Sequence, residues 1–157
     1  AHDVMTGNVV CVREADAIDT AIDVLRTNHI TGAPVVDERG KLVGILSLND
    51  LITAPNDGSA DESPPTPLAH GADRNTWDLF ERAGRVEADT SEQQAGDRMS
   101  RQVMSVTENA SLVDIARAMC DGHWHRVPVV DNAGSLTGII STMDVLAALV
   151  NAHDELQ

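Results

Sequence analysis

The chain has 157 residues, the length of one domain or two very small ones, and its 11 Lys+Arg stand against 25 Asp+Glu for a formal charge of −14. At 42% hydrophobic and 23% charged it can bury a core and does not read as disordered. A single lysine, Lys41, and 2% aromatics leave neither phosphate tracks nor stacking platforms, which argues against nucleic acid polymers and anionic membranes but not against a small anion in a local pocket.

The predicted elements come twice. PVVDERGKLVGILSLND from Pro34 and PVVDNAGSLTGIISTMD from Pro128 differ in position by 94 residues, and the same ungapped offset pairs Met5 with Met99, His29 with His123 and Asp50 with Asp144. The copies align over 3–53 and 97–150, which places repeat 1 in 1–53, an insert in 54–98 and repeat 2 in 97–157.

In chain order, Val9–Val12 predicts a short strand and Ile18, Ala21, Ile22 and Leu25 one stripe of an amphipathic helix. Asp16 is a good N-cap for that helix. Ala33–Val36 reads as an apolar strand, Asp37 to Gly40 as a turn with glycine at positive φ, Leu42–Leu46 as a second strand, and a helix starts near Leu48. The second copy runs in parallel: strand Val103–Val106, helix stripe Leu112, Ile115, Ala116 and Met119, strand Val127–Val130, turn Asp131 to Gly134, strand Leu136–Ile140, helix from about Thr142. Asn109 or Ser111 caps its first helix, because Ala110 cannot. Each copy is β-α-β-β-α with a parallel crossover and an antiparallel hairpin, hence a small mixed sheet flanked by helices. The fold class is α+β, two such repeats packing about a pseudo-twofold axis because one alone buries too little surface.

The insert holds four of the six prolines within 55–67 and 10 acids against 4 bases, and reads as a mobile acidic loop with a short helix near 76–84. Its Trp77 and Phe80 either pin it to the core or offer a contact patch to a partner.

The sharpest motif is Gly44-Ile45-Leu46-Ser47-Leu48-Asn49-Asp50 with its twin Gly138-Ile139-Ile140-Ser141-Thr142-Met143-Asp144. A strand runs straight into a helix, with Ser at the junction and Asp three residues on. As local structure this is a capping box. As a site, the helix start presents free N–H groups to a phosphate, the hydroxyl adds a donor, and a carboxylate one turn in can take both hydroxyls of a ribose. Just before Val127-Pro128 stands His125-Arg126, a guanidinium suited to phosphate, where copy 1 has uncharged Thr31-Gly32. The copies are therefore not equivalent.

The tandem β-α-β-β-α units, P-V-V-D and G-h-h-S-x-x-D resemble a pair of CBS domains, the Bateman module. The resemblance covers about 100 residues and leaves the insert unexplained. It implies a non-enzymatic regulatory module that binds an adenosine-containing ligand, AMP, ADP, ATP or S-adenosylmethionine, in the cleft between repeats. By resemblance Ser47 and Ser141 contact phosphate, Asp50 and Asp144 hold ribose hydroxyls, and Thr31, Ala33, His125 and Val127 line the pocket. Arg126 inherits a phosphate role, since His125-Arg126 is similar to a His-Arg clamp in that family; Gly32 departs from it. The family also implies a homodimer formed through helices and a regulated effector protein. The rival reading is a structural dimerisation module with an empty cleft, which needs the caps but not Arg126.

Other chemistry has thin support. Cys120, His123 and His125 lie within six residues, but a zinc site needs a further ligand or an open position. His123 has its twin in His29, where Arg26 replaces Cys120, so a core or capping histidine explains both. No nucleophile elbow, P-loop, dinucleotide glycine pattern or H-E-x-x-H occurs. The reading is no enzyme, no required cofactor and no metal, with the nucleotide as regulatory ligand. No run of 18 apolar residues occurs, Cys11 and Cys120 stand far apart, and the start Ala-His-Asp-Val-Met shows no signal pattern, which together read as a reduced cytoplasmic protein away from the membrane. The missing initiator Met fits a fragment or a trimmed chain.

Overall fold

A computed structural model describes residues 1–52, 81 and 92–155. The proposed insert helix with Trp77 and Phe80 lies outside the described residues. The elements are β1 (Val12–Arg13), α1 (Ile18–Thr27), β2 (Gly32–Val36), β3 (Leu42–Ser47), α2 (Leu48–Ile52), α3 (Ala95–Arg98), β4 (Val106–Thr107), α4 (Leu112–Gly122), β5 (Arg126–Val130), β6 (Leu136–Ser141) and α5 (Thr142–Asp154). They form two three-stranded mixed sheets, β1-β2-β3 and β4-β5-β6, so the fold is α+β with small mixed sheets and helices. Among the described residues no helix is long and apolar enough to cross a membrane.

The duplication is exact in register. Val12 pairs with Val35 and Val106 with Val129 in parallel; Gly32 pairs with Ser47 and Arg126 with Ser141 in antiparallel. Each hairpin carries an irregularity at the same place, between Val35 and Val36 and between Val129 and Val130. Gly40 and Gly134 take φ of 79° and 84°, the conformation that the turns require of a residue without a β-carbon. The first strands begin three residues later than the apolar runs Val9–Val12 and Val103–Val106 predict. Pairing with β2 and β5 sets their start, not hydrophobicity.

By contact the chain divides into a unit of Val10–Val103 and a unit of Ala1–Val9 with Met104–Gln157. In the first, Ile18, Ala21, Ile22 and Leu25 of α1 bury their stripe with Val12, Val35, Leu46, Leu48, Leu51 and Met99. In the second, Ile115 and Met119 of α4 bury with Val127, Val129, Ile140 and Val145, and Leu112 and Ala116 pack half-buried against them. This is the expected stripe in both copies.

Segments ahead of each copy cross over. Ser100 exchanges backbone hydrogen bonds with Ile45 of β3 (2.8 and 2.9 Å), and Thr6, its twin, exchanges them with Ile139 of β6 (2.9 and 3.0 Å). The segment preceding copy 1 thus edges the sheet of copy 2, and the reverse. Glycine is required beneath each: a β-carbon on Gly44 would stand 2.8 Å from the Ser100 carbonyl oxygen and against Met99, and one on Gly138 would meet the Met5 sulfur.

Helix ends correct one expectation and decide another. Asp16 does not cap α1; its carboxylate accepts from Arg13 N–H (2.9 Å) instead, and the N-cap is Ala17, without a side-chain bond. Ser111 caps α4 by accepting from Asp114 N–H (3.1 Å). His29 and His123 both adopt φ of 53° just past α1 and at the C-cap of α4, exposed to solvent, so the twin histidines close helices and neither is a core residue. Cys11 and Cys120 are free thiols.

Candidate functional site

The two strand-to-helix junctions have one construction. At the end of β6, Ser141 is the N-cap of α5. Its Oγ accepts from Asp144 N–H (3.2 Å), while its own N–H and Oγ–H both donate to Asp144 Oδ2 (2.7 Å each). At the end of β3, Ser47 N–H and Oγ–H donate to Asp50 Oδ2 (2.8 Å each) and Asp50 N–H donates to Ser47 Oγ (3.4 Å). These bonds make a capping box, and it accounts for the Ser–Asp pair as local structure. It also fixes the carboxylate rotamer. In each case Oδ2 takes both Ser bonds and Oδ1 takes neither.

The strand before Pro is tied to the same corner. Leu48 N–H donates to the Thr31 carbonyl (2.9 Å) and Thr142 N–H to the His125 carbonyl (3.0 Å). The structure therefore brings Thr31, Ser47 and Asp50 together in one unit, and His125, Arg126, Ser141 and Asp144 together in the other. Ala33 and Val127 differ: both are fully buried, in register with Leu46 and Ile140, and their side chains belong to the cores. Only their backbone could meet a ligand. Thr31 is half-buried, His125 exposed and Ser47 buried.

The electrostatics differ between the copies. Burial pushes the Asp50 carboxyl up from its ordinary value, against the Ser47 hydrogen bonds that hold it down. Burial pushes the half-buried Arg126 guanidinium down, and the Asp144 carboxylate opposes that shift. Arg126 thus sets a cation beside the Ser141–Asp144 corner, where the other corner has Gly32. A residue that sequence reasoning missed is Arg98, whose Nη1 donates to the Asp50 carbonyl (3.4 Å) and Nε to Gln93 Oε1 (2.8 Å). Val4 is its twin, so the repeat pattern gave no signal for it. Among the described residues no three His, Cys, Asp or Glu side chains gather as metal ligands.

Chemically, each corner offers a serine oxygen and a carboxylate that can accept hydrogen bonds at a helix start, and Arg126 adds a cation at one of them.

The chain is 32% identical over 137 residues to the CBS domain-containing protein CBSX1, chloroplastic, of Arabidopsis thaliana, covering 87% of this chain and 57% of that protein. It thus spans less than two thirds of that relative's length. Among solved structures, CBSX2 in complex with AMP superposes with a TM-score of 0.66 at 26% identity, covering 97% of this chain and 96% of that one. The cytosolic domain of the Mg2+ channel MgtE in complex with ATP gives 0.62 at 26% identity, covering 92% and 46%. The CBS domain family model matches residues 1–57 and again 95–151, so the chain belongs to the CBS domain family and carries two of its repeats in tandem.

Proposed function

We propose that the chain is a non-catalytic regulatory module whose Ser–Asp corners bind an adenosine nucleotide, with the Arg126 corner preferring the phosphorylated form. The observation that carries this is the recurrence of one polar corner in both repeats, with a half-buried cation added in one of them. A pure capping role would account for Ser and Asp but gives no reason to keep Arg126 half-buried beside them. The similarity to CBSX2 with AMP and to MgtE with ATP supports a nucleotide over a bare anion. Asp50 and Asp144 would take ribose hydroxyls through Oδ1, and Ser141, the α5 start and Arg126 would take phosphate.

The test is calorimetric titration with AMP, ADP, ATP, S-adenosylmethionine and adenosine, beside a thermal-shift series. A ligand that binds only the folded state raises its stability by RT ln(1 + [L]/Kd), about 2.7 kcal/mol at 100 Kd. Saturable binding that falls in Asp144→Ala establishes the site. No binding by any of the five at millimolar concentration would leave a dimerisation module with an empty site.

The partner reading is a homodimer through α5. Met143, Leu146 and Val150 are exposed at 68%, 54% and 60%. They lie at i, i+3 and i+7, one uncharged stripe on a chain of charge −14. A second copy brings the same uncharged stripe, so two strongly acidic chains can meet there without opposing charges at the contact. A regulated effector protein would then read the state of that dimer.

A further inference from the structure

Away from the corners, the unit of Val10–Val103 holds a depression of about 580 Å3 at the turn end of its hairpin. That end is separated from Ser47 by the length of β3, roughly 17 Å at 3.3 Å per residue. Arg13, Arg39 and Arg101 line it. These are three of the few cations of the chain, and at the 94-residue offset the other unit has Thr107, Ala133 and Gly7 instead. Neither the turn nor the hairpin needs arginine there, since copy 2 builds both without it.

The acids of the depression are largely committed to backbone. Asp16 Oδ2 accepts from Arg13 N–H (2.9 Å), Asp37 Oδ1 from Arg39 and Lys41 N–H (2.8 and 2.9 Å), and Asp97 Oδ2 from Gln94 N–H (2.9 Å). Arg101 pairs with Glu14 at 3.5 Å. Among the described residues the Arg13 and Arg39 guanidinium groups make no hydrogen bond or ion pair. Two planar cationic forks therefore border one concave space with their donors uncommitted, beside aspartates already turned to other donors. From this geometry we infer that the depression is a second ligand site, specific to the unit of Val10–Val103, for a small oxyanion of the phosphate or dicarboxylate type. Guanidinium forks match the paired oxygens of either group. With three arginines set against five acids in the lining, affinity is modest and falls steeply with salt.

The experiment is an NMR titration of the full chain at low ionic strength, with inorganic phosphate and, separately, succinate. Expected are saturable shifts of the Arg39, Gly40 and Arg101 amides that weaken at least tenfold in Arg13→Ala/Arg39→Ala. Both arginines are exposed, so that variant keeps its melting temperature. Tighter binding of phosphate or of succinate assigns the source of the oxyanion. Shifts confined to Ser141 and Arg126, or shifts unchanged in the double variant, would overturn the inference, as would no saturation with either probe. The readout is independent of nucleotide binding, so either reading can fail alone.

Discussion

Met99 and Gly44 are one contact: the methionine sulfur and the Ser100 carbonyl oxygen occupy the space that a β-carbon at position 44 would need, 2.5 and 2.8 Å away. At Gly138 the three nearest atoms all belong to the Met5 side chain. Gly44→Ala must move backbone that is paired to Ile45, whereas Gly138→Ala can displace a flexible side chain. Overpacking costs about 1–3 kcal/mol, and Gly44→Ala is expected at the upper end with Gly138→Ala below it. Urea unfolding of both variants measures this, and equal losses would mean that the crossing segments yield alike.

Asp144→Ala removes both the carboxylate half of the α5 capping box and the proposed ribose acceptor. Asp144→Asn separates them, since an amide oxygen still accepts from Ser141. Asn is expected to keep most of the stability yet weaken AMP more than tenfold, because charge-assisted bonds are worth about 1.5–3 kcal/mol each. Ala should lose the same affinity and about 1 kcal/mol of stability besides. Calorimetry with AMP on the folded Asn variant decides; unchanged affinity there would reduce Asp144 to a cap.

Arg126→Ala should weaken AMP and ATP while leaving adenosine nearly unchanged. Equal losses for all three would contradict a phosphate role and point to packing of the half-buried guanidinium stem.

The raised Asp50 carboxyl gives a pH dependence with a definite sign. Its folded value lies above its unfolded one, so folding is penalised once pH exceeds the folded value and is relieved below the ordinary carboxylate value of about 4. Relative to Asp50→Asn, the natural chain should lose stability as pH rises through that window. Nucleotide affinity at this corner runs the other way, since the ribose acceptor must be ionised. Urea midpoints and AMP titrations between acid and neutral pH test both slopes, and parallel curves for the two proteins would refute the shift.

Leu146→Glu places a like charge on the α5 stripe of each copy. Sedimentation should then show a dimer becoming monomer with its melting behaviour otherwise kept, because Leu146 is already exposed. A natural chain that is monomeric at high concentration would remove the dimer proposal.

Much of this was legible in the sequence because it is local or duplicated. The α1 stripe, the turn glycines and the Ser–Asp spacing are each set within a few residues, and the offset of 94 supplied a second measurement of each. What escaped depends on distant partners. Asp16 looks like a cap, but Arg13 N–H claims its carboxylate. Val9–Val12 has the apolarity of a strand, yet only pairing with Val35 and Val36 decides where β1 begins. Arg98 reaches the Asp50 carbonyl 48 residues away, across the insert, where no periodicity can report it. Met5 and Met99 were recognisable as twins, but not that each serves the other copy's sheet.

That exchange decides how the protein can be cut. A repeat excised at its sequence boundary takes away its neighbour's edge and leaves its own hairpin bare over a glycine. The unit of Val10–Val103 is continuous and is the natural piece to express alone. The other becomes continuous only in a circularly permuted gene that opens between Val103 and Met104 and links the old ends, so that Met5 arrives after Gly138 on the same stretch of chain.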